Sequence, residues 1–258
     1  MEELTIPLRP VLIFMLVLAR VGGLVTFAPF WSHKAASTRI RVILAVALAF
    51  IITPVVMPRL QTPPSDMLPF MLLIVSELLI GFILGFVGRL IFSGLEMAAQ
   101  ILTYQMGFSL AGTIDPSTQA HTAALAIIAQ MFGLMILLAS DGHHWFLLAT
   151  VKSFHAVAPG DFSITPSLLQ IILRLSADAL SVGVALAAPA IVVLLAVEFA
   201  LAILGEVAPQ FQVFLLGFPI KIAVGLWVIG ASLYFLPGAF RTTLSAIRVS
   251  LQQVLGAM

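Results

Sequence analysis

Ionisable side chains set inside otherwise apolar stretches are the first candidates for chemistry in this chain. They are Arg20, Glu77, Arg89, Glu96, Asp178, Glu198 and Lys221. A charge in a greasy helix is costly, so each such residue defaults to a functional hypothesis. One reading is a proton or ion relay. The other is ion pairing between helices or subunits, for instance Glu198 with Lys221. Pairing carries more weight, because a relay needs a polar, water-lined path and these helices offer few polar groups. Asp178 lies near a segment end, where a charge is cheaper.

His143 and His144 follow Asp141 and Gly142. A metal reading needs further ligands at suitable spacing, and no HExxH pattern occurs. The expectation is no metal: Asp141 caps the following helix and Trp145 sits at an interface. No GxSxG elbow, Walker loop, GxGxxG run or aspartate-rich diphosphate cluster is present, and no Ser/His/Asp spacing suggests a triad. The sequence therefore predicts no enzyme and no cofactor.

Two glycine patterns point to architecture. Gly81, Gly85 and Gly88 fall on one helical face, a small-residue seam that admits another helix closely. Gly107–His121 reads GFSLAGTIDPSTQAH after Tyr104, Gln105 and Met106. Backbone this rich in Gly, Ser and Thr at membrane depth must be sheltered in protein or line a cavity. Met106, Phe108 and Leu110 have the bulk to close a pore by dewetting. A plain surface loop is the alternative, and the apolar content favours the constricting one.

These residues need a scaffold, and composition bounds it. Of 258 residues, 61% are hydrophobic and 9% charged, against roughly 25% charged in a soluble domain. A chain so poor in charge cannot clothe itself in polar surface, and its mean hydropathy of +1.17 points to lipid or large apolar interfaces. A net charge of +1 gives no electrostatic case for nucleic acid, and the lack of cysteine excludes disulfides and thiolate metal sites.

A spanning helix needs about 20 apolar residues. That ruler marks Val11–Phe30, Ile40–Met57, Met67–Phe92 with continuation to about Thr103, Thr122–Ser140, Leu168–Leu204 with Pro189 inside, and Phe211–Leu236. His144–Val157 is too short to span and reads as interfacial or re-entrant. Val11–Phe30 is a retained helix, because Glu2 and Glu3 stand where a signal peptide would be basic. Positive residues in Ser32–Arg41 and in the tail from Arg241 mark the cytoplasmic side. Leu168–Leu204 would run about 50 Å as one helix, beyond a core of about 30 Å. It either forms a long hairpin with Phe211–Leu236, or Leu168–Asp178 is a separate interfacial helix. The fold class is all-α, a multi-helix membrane-type protein with kinked helices.

Four stretches carry a resemblance: RVGGLVTFAPFWSHKAASTRIRVILA at Arg20–Ala45, TYQMGFSLAGTIDP at Thr103–Pro116, DGHHWFL at Asp141–Leu147 and APQFQVFLLGFPIKIAVG at Ala208–Gly225. In order and over nearly the whole chain they resemble the flagellar biosynthetic protein FliR family, whose injectisome counterpart is the T subunit of the type III export apparatus. The resemblance implies a core component of an export gate in the bacterial inner membrane, at the flagellar basal body, with the P and Q subunits as partners in a helical hetero-oligomer and unfolded proteins as cargo. It implies a P-like portion at 1–166 and a Q-like helical hairpin at 167–258. It assigns a channel plug to the loop 106–121, with Met106, Gly107, Phe108, Ser109, Leu110, Ala111 and Gly112 in it. A small-solute secondary transporter is the alternative, motivated by the charges and by Pro189 as a helix break.

Overall fold

The computed structural model describes residues 8–31, 37–60, 63–64, 66–108, 124–208 and 213–258, and among them there is no strand. In chain order the helices are α1 (Leu8–Phe27), α2 (Thr38–Val56), a 3-10 turn (Met57–Arg59), α3 (Met67–Gln105), α4 (Ala124–Ala139), α5 (Gly142–Ala156), α6 (Pro166–Val207) and α7 (Val213–Ala257). Four of them, α1, α2 with its 3-10 turn, α3 and α6, are long and apolar enough to cross a membrane. A fifth crossing arises if α4 and α5, bent by 69° where they meet, count as one broken span.

Local chemistry sets the helix boundaries. Ser37 caps α2, its hydroxyl accepting from the Ile40 amide. Thr165 does the same for α6, accepting from the Leu168 amide at 3.1 Å, with Pro166 at the first helical position where no donor is needed. The Thr165 hydroxyl also donates to the Ala257 carbonyl at 2.6 Å, tying the start of α6 to the end of α7. Gly107 ends α3 at φ 84, a left-handed conformation that glycine adopts without a Cβ penalty.

The helix begun at Met67 continues past Phe92 as expected, running 39 residues to Gln105. Two expectations change. Leu168–Asp178 is not a separate interfacial helix: α6 is continuous over 42 residues and carries Pro189 within it. A lone proline removes one backbone donor, which a long helix tolerates as a kink. The last helix does not end at Leu236: α7 continues to Ala257 across Pro237 and Gly238. At 1.5 Å per residue α6 and α7 are each over about 60 Å long.

The chain divides into two compact units, neither contiguous in sequence. The first comprises Met1–Leu90, Asp141–Leu175 and Ser245–Met258; the second comprises Ile91–Ser140 and Ser176–Leu244. The first unit is organised on α1, whose Ile13, Leu16, Val17, Val21 and Leu24 are all buried. In the second, α3 crosses α6 at a backbone-to-backbone approach. A Cβ on Gly94 would lie 2.7 Å from the Ala179 carbonyl oxygen, and one on Gly183 would lie 2.8 Å from that of Gly94.

Candidate functional site: a buried ion pair and two motif contacts

Among the described residues Arg20 and Glu77 are the charges that are buried, both with no exposed surface. The pair is bidentate, Nε donating to Oε2 at 2.5 Å and Nη2 to Oε1 at 2.9 Å. Nη1 donates to the Ser153 hydroxyl at 2.9 Å, and Nη2 to the Val157 carbonyl at 3.3 Å. The Phe154 ring lies against the guanidinium, 3.8 Å from its central carbon. One planar fork thus joins α1, α3 and α5, the geometry for which arginine is suited and lysine is not. Both Glu77 oxygens accept from the same guanidinium, which is the bonding of a clamp.

Glycines make the clamp possible. A Cβ on Gly81 would collide with the Arg20 carbonyl oxygen, and one on Gly23 with that of Leu78. A Cβ on Gly85 would lie 2.9 Å from both the Ala28 amide nitrogen and the Phe27 Cβ. The helix that approaches Gly81 and Gly85 is therefore α1 of the same chain. Gly88 instead faces the Phe146 ring of α5.

The other predicted charges need correction. Arg89 and Glu198 are exposed on the chain's own surface, as is Asp178, while Glu96 and Lys221 are half-buried. An apolar window reports the mean of all helix faces and does not distinguish a charge on the packed face from one on the outer face. Lys221 bonds Glu198 at 2.7 Å, between α7 and α6. Glu96 accepts from the Gln130 side chain at 2.8 Å, between α3 and α4.

Asp141 occupies the position before α5 but makes no side-chain cap. Its φ of 53 puts it in the left-handed region, where Asp is among the few tolerated residues. Its carbonyl, not its carboxylate, accepts from the His144 amide, at 3.0 Å. The expectation of a capping Asp141 is therefore wrong in its atom. The donor atoms of Asp141, His143 and His144 lie within 4.8 Å of one another. His143 also lies beside the Phe30 ring, at 6.1 Å between centroids.

Of the residues assigned to a plug, Met106, Gly107 and Phe108 are described, while Ser109, Leu110, Ala111 and Gly112 fall outside the described residues. Met106 is fully buried. Its side chain covers Gly225 of α7, where a Cβ would lie 2.7 Å from the Met106 Cγ and 2.8 Å from its sulfur. Gly107 meets the Phe218 ring, 2.8 Å from where its own Cβ would stand. Met106 is thus an anchor packed within the second unit, where the sequence suggests a side chain projecting into a pore.

The four sequence stretches consequently meet in pairs. Within the first unit, Phe146 of the DGHHWFL stretch packs edge-on to Trp31 of the Arg20–Ala45 stretch. Within the second, Met106 and Gly107 rest on Gly225 and Phe218. Gly23, Gly94, Ser153, Gly183 and the burial of Gly225 against Met106 are the site features that sequence reasoning missed. Close approaches by isolated glycines leave no period to detect.

These features define an all-helical, membrane-type chain held by a buried ion clamp and two motif contacts. The chain belongs to the family described as bacterial export proteins, family 1, which it matches over residues 11–247. It is similar to the flagellar biosynthetic protein FliR of Caulobacter vibrioides, at 33% identity over 84% of this chain and 87% of that protein. It is also similar to FliR of Escherichia coli K12, at 31% over 83% and 81%, and to that of Bacillus subtilis 168, at 26% over 82% of each.

Proposed function

We propose that this protein is a component of the flagellar protein export gate in the bacterial inner membrane, where it supplies channel wall and plug for unfolded flagellar subunits. It assembles with the P and Q subunits, residues 1–166 taking the P-like place and 167–258 the Q-like one. The observation that carries this reading is the anchoring of the Met106–Gly107 corner on α7. A glycine- and serine-rich segment that starts from a fully buried methionine and a left-handed glycine has a fixed point of departure. A fixed departure is what a segment needs if it is to close a conduit reproducibly. The chain supports the gate passively, through packing, and energy for transport enters through other proteins.

The paired arrangement of the four motifs supports the same reading. Residues of the quoted stretches pack on one another within each unit, as expected where function lies in a shaped assembly. Deleting Gly107–Gly112 tests it. The expected result is increased membrane conductance in cells whose export complex still assembles. An assembled deletion mutant with wild-type ion permeability contradicts the plug.

A further inference from the structure

An open groove of about 480 Å³ lies between the start of α1 and the end of α2. Its walls include Val11, Phe14, Phe50, Pro54 and Met57. Thr53, its polar lining side chain, already donates its hydroxyl to the Ala49 carbonyl at 2.6 Å. With that proton engaged these side chains offer an occupant no hydrogen-bond donor, which suits a hydrocarbon chain better than a peptide or a polar solute. Phe50, on the groove wall, is 74% exposed, and Ile51 and Val55 beside it are 65% and 57% exposed.

One end of the groove is basic. Arg9 immediately precedes the α1 wall and Arg59 follows Met57 by two residues; both are exposed. Arg9 donates to the Leu60 carbonyl at 3.0 Å, which fixes the α1 start against the chain just past Arg59. Arg59 lies 3.0 Å from His155 Nδ1. Among the described residues neither arginine is in an ion pair with a carboxylate. Two guanidinium groups with no carboxylate partner among the described residues, on residues that flank the lining Pro10 and Met57, match a phosphate joined to an acyl chain.

We propose that this groove binds an anionic phospholipid of the surrounding bilayer, one acyl chain lying along Phe14 and Phe50 and the phosphate held by Arg9 and Arg59. The proposal rests on the membrane placement of the chain and not on the plug. The test replaces Phe50 with photoreactive benzoylphenylalanine in the full chain, in the complex that co-purifies with it in mild detergent. That complex is reconstituted in nanodiscs of phosphatidylcholine containing about a tenth phosphatidylglycerol, with matched acyl chains, and adducts are identified by mass spectrometry.

The expected result is a lipid adduct enriched about tenfold in phosphatidylglycerol over its share of the bilayer, as two basic side chains near an anionic headgroup supply. With Arg9→Gln and Arg59→Gln together, the enrichment should vanish while total lipid adduct persists. The adduct ratio within one sample does not depend on how much protein folds. Phosphatidylglycerol in proportion to the bilayer, enrichment insensitive to the arginines, or cross-linking to a protein subunit in place of lipid each overturns the proposal. The last would assign the groove to a neighbouring helix. Absence of any lipid adduct, at Phe50 or at a control position on exposed Ile43, would instead overturn the membrane placement itself.

Discussion

At the residue scale the Arg20–Glu77 pair is the most consequential feature. Removing one member of a buried ion pair leaves an uncompensated charge and costs about 3–5 kcal/mol, whereas an apolar replacement of both is often neutral. Arg20→Leu alone should therefore cut the yield of folded protein sharply, and Arg20→Leu with Glu77→Leu should recover most of it. Detergent gel filtration and thermal melting of the two variants measure the difference. If the double variant melts as low as the single one, the clamp has a role beyond charge balance. That Arg20 and Glu77 belong among the important charges is legible from sequence, because each stands in an apolar run. Their pairing with each other, and with Ser153, is not legible. It depends on three helices separated by 57 and 133 residues along the chain.

Glycine positions give a second residue-scale prediction. At Gly81 a new Cβ meets the Arg20 backbone, which has no way to yield, while at Gly225 it meets only the Met106 side chain. Gly81→Ala should thus be far more damaging than Gly225→Ala, by about 2 kcal/mol or more, given the 1–3 kcal/mol usual for overpacking and the adaptability of methionine. Thermal melts of both variants in one detergent check the order. Equal losses would mean that α1 and α3 can separate without cost.

At the element scale the long helices are held by their ends. Thr165 both caps α6 and bonds the Ala257 carbonyl. Thr165→Val should remove a cap and a tertiary hydrogen bond at once, a loss of about 1–2 kcal/mol. Amide exchange at residues 168–170 and at the α7 C-terminus should accelerate together. Faster exchange at only one of them would break the proposed link. Hydropathy locates these helices well from Val11 onward, since about 20 apolar residues in a row admit few other readings. It does not place the end of α7, which runs past Leu236 to Ala257, because helix continuation needs only backbone hydrogen bonds and no breaker, not greasy side chains.

At the scale of the whole molecule, composition and motif order were sufficient to indicate an all-helical membrane-type chain of the bacterial export family. The noncontiguous compact units were not readable, since they arise from helices long enough to serve two cores at once. The apolar surface is extensive: Phe50, Phe199, Val207 and Trp227 are each about 70% exposed or more. Patches of this size on one chain require lipid or partner subunits to cover them. Expressed without other export components, the protein should therefore self-associate in mild detergent and become monodisperse when the P and Q subunits are co-expressed. Light scattering of the two preparations distinguishes the outcomes, and a monodisperse lone chain would count against obligatory partners.

The segment departing from the Met106–Gly107 corner is proposed to close a conduit inside an assembly. Ion leakage across the membrane of cells carrying the Gly107–Gly112 deletion measures this most directly, with co-purification of the export subunits establishing assembly in the same cells. Intact co-purification and clearly raised leakage are expected. Intact co-purification with leakage no greater than wild type would contradict that closure.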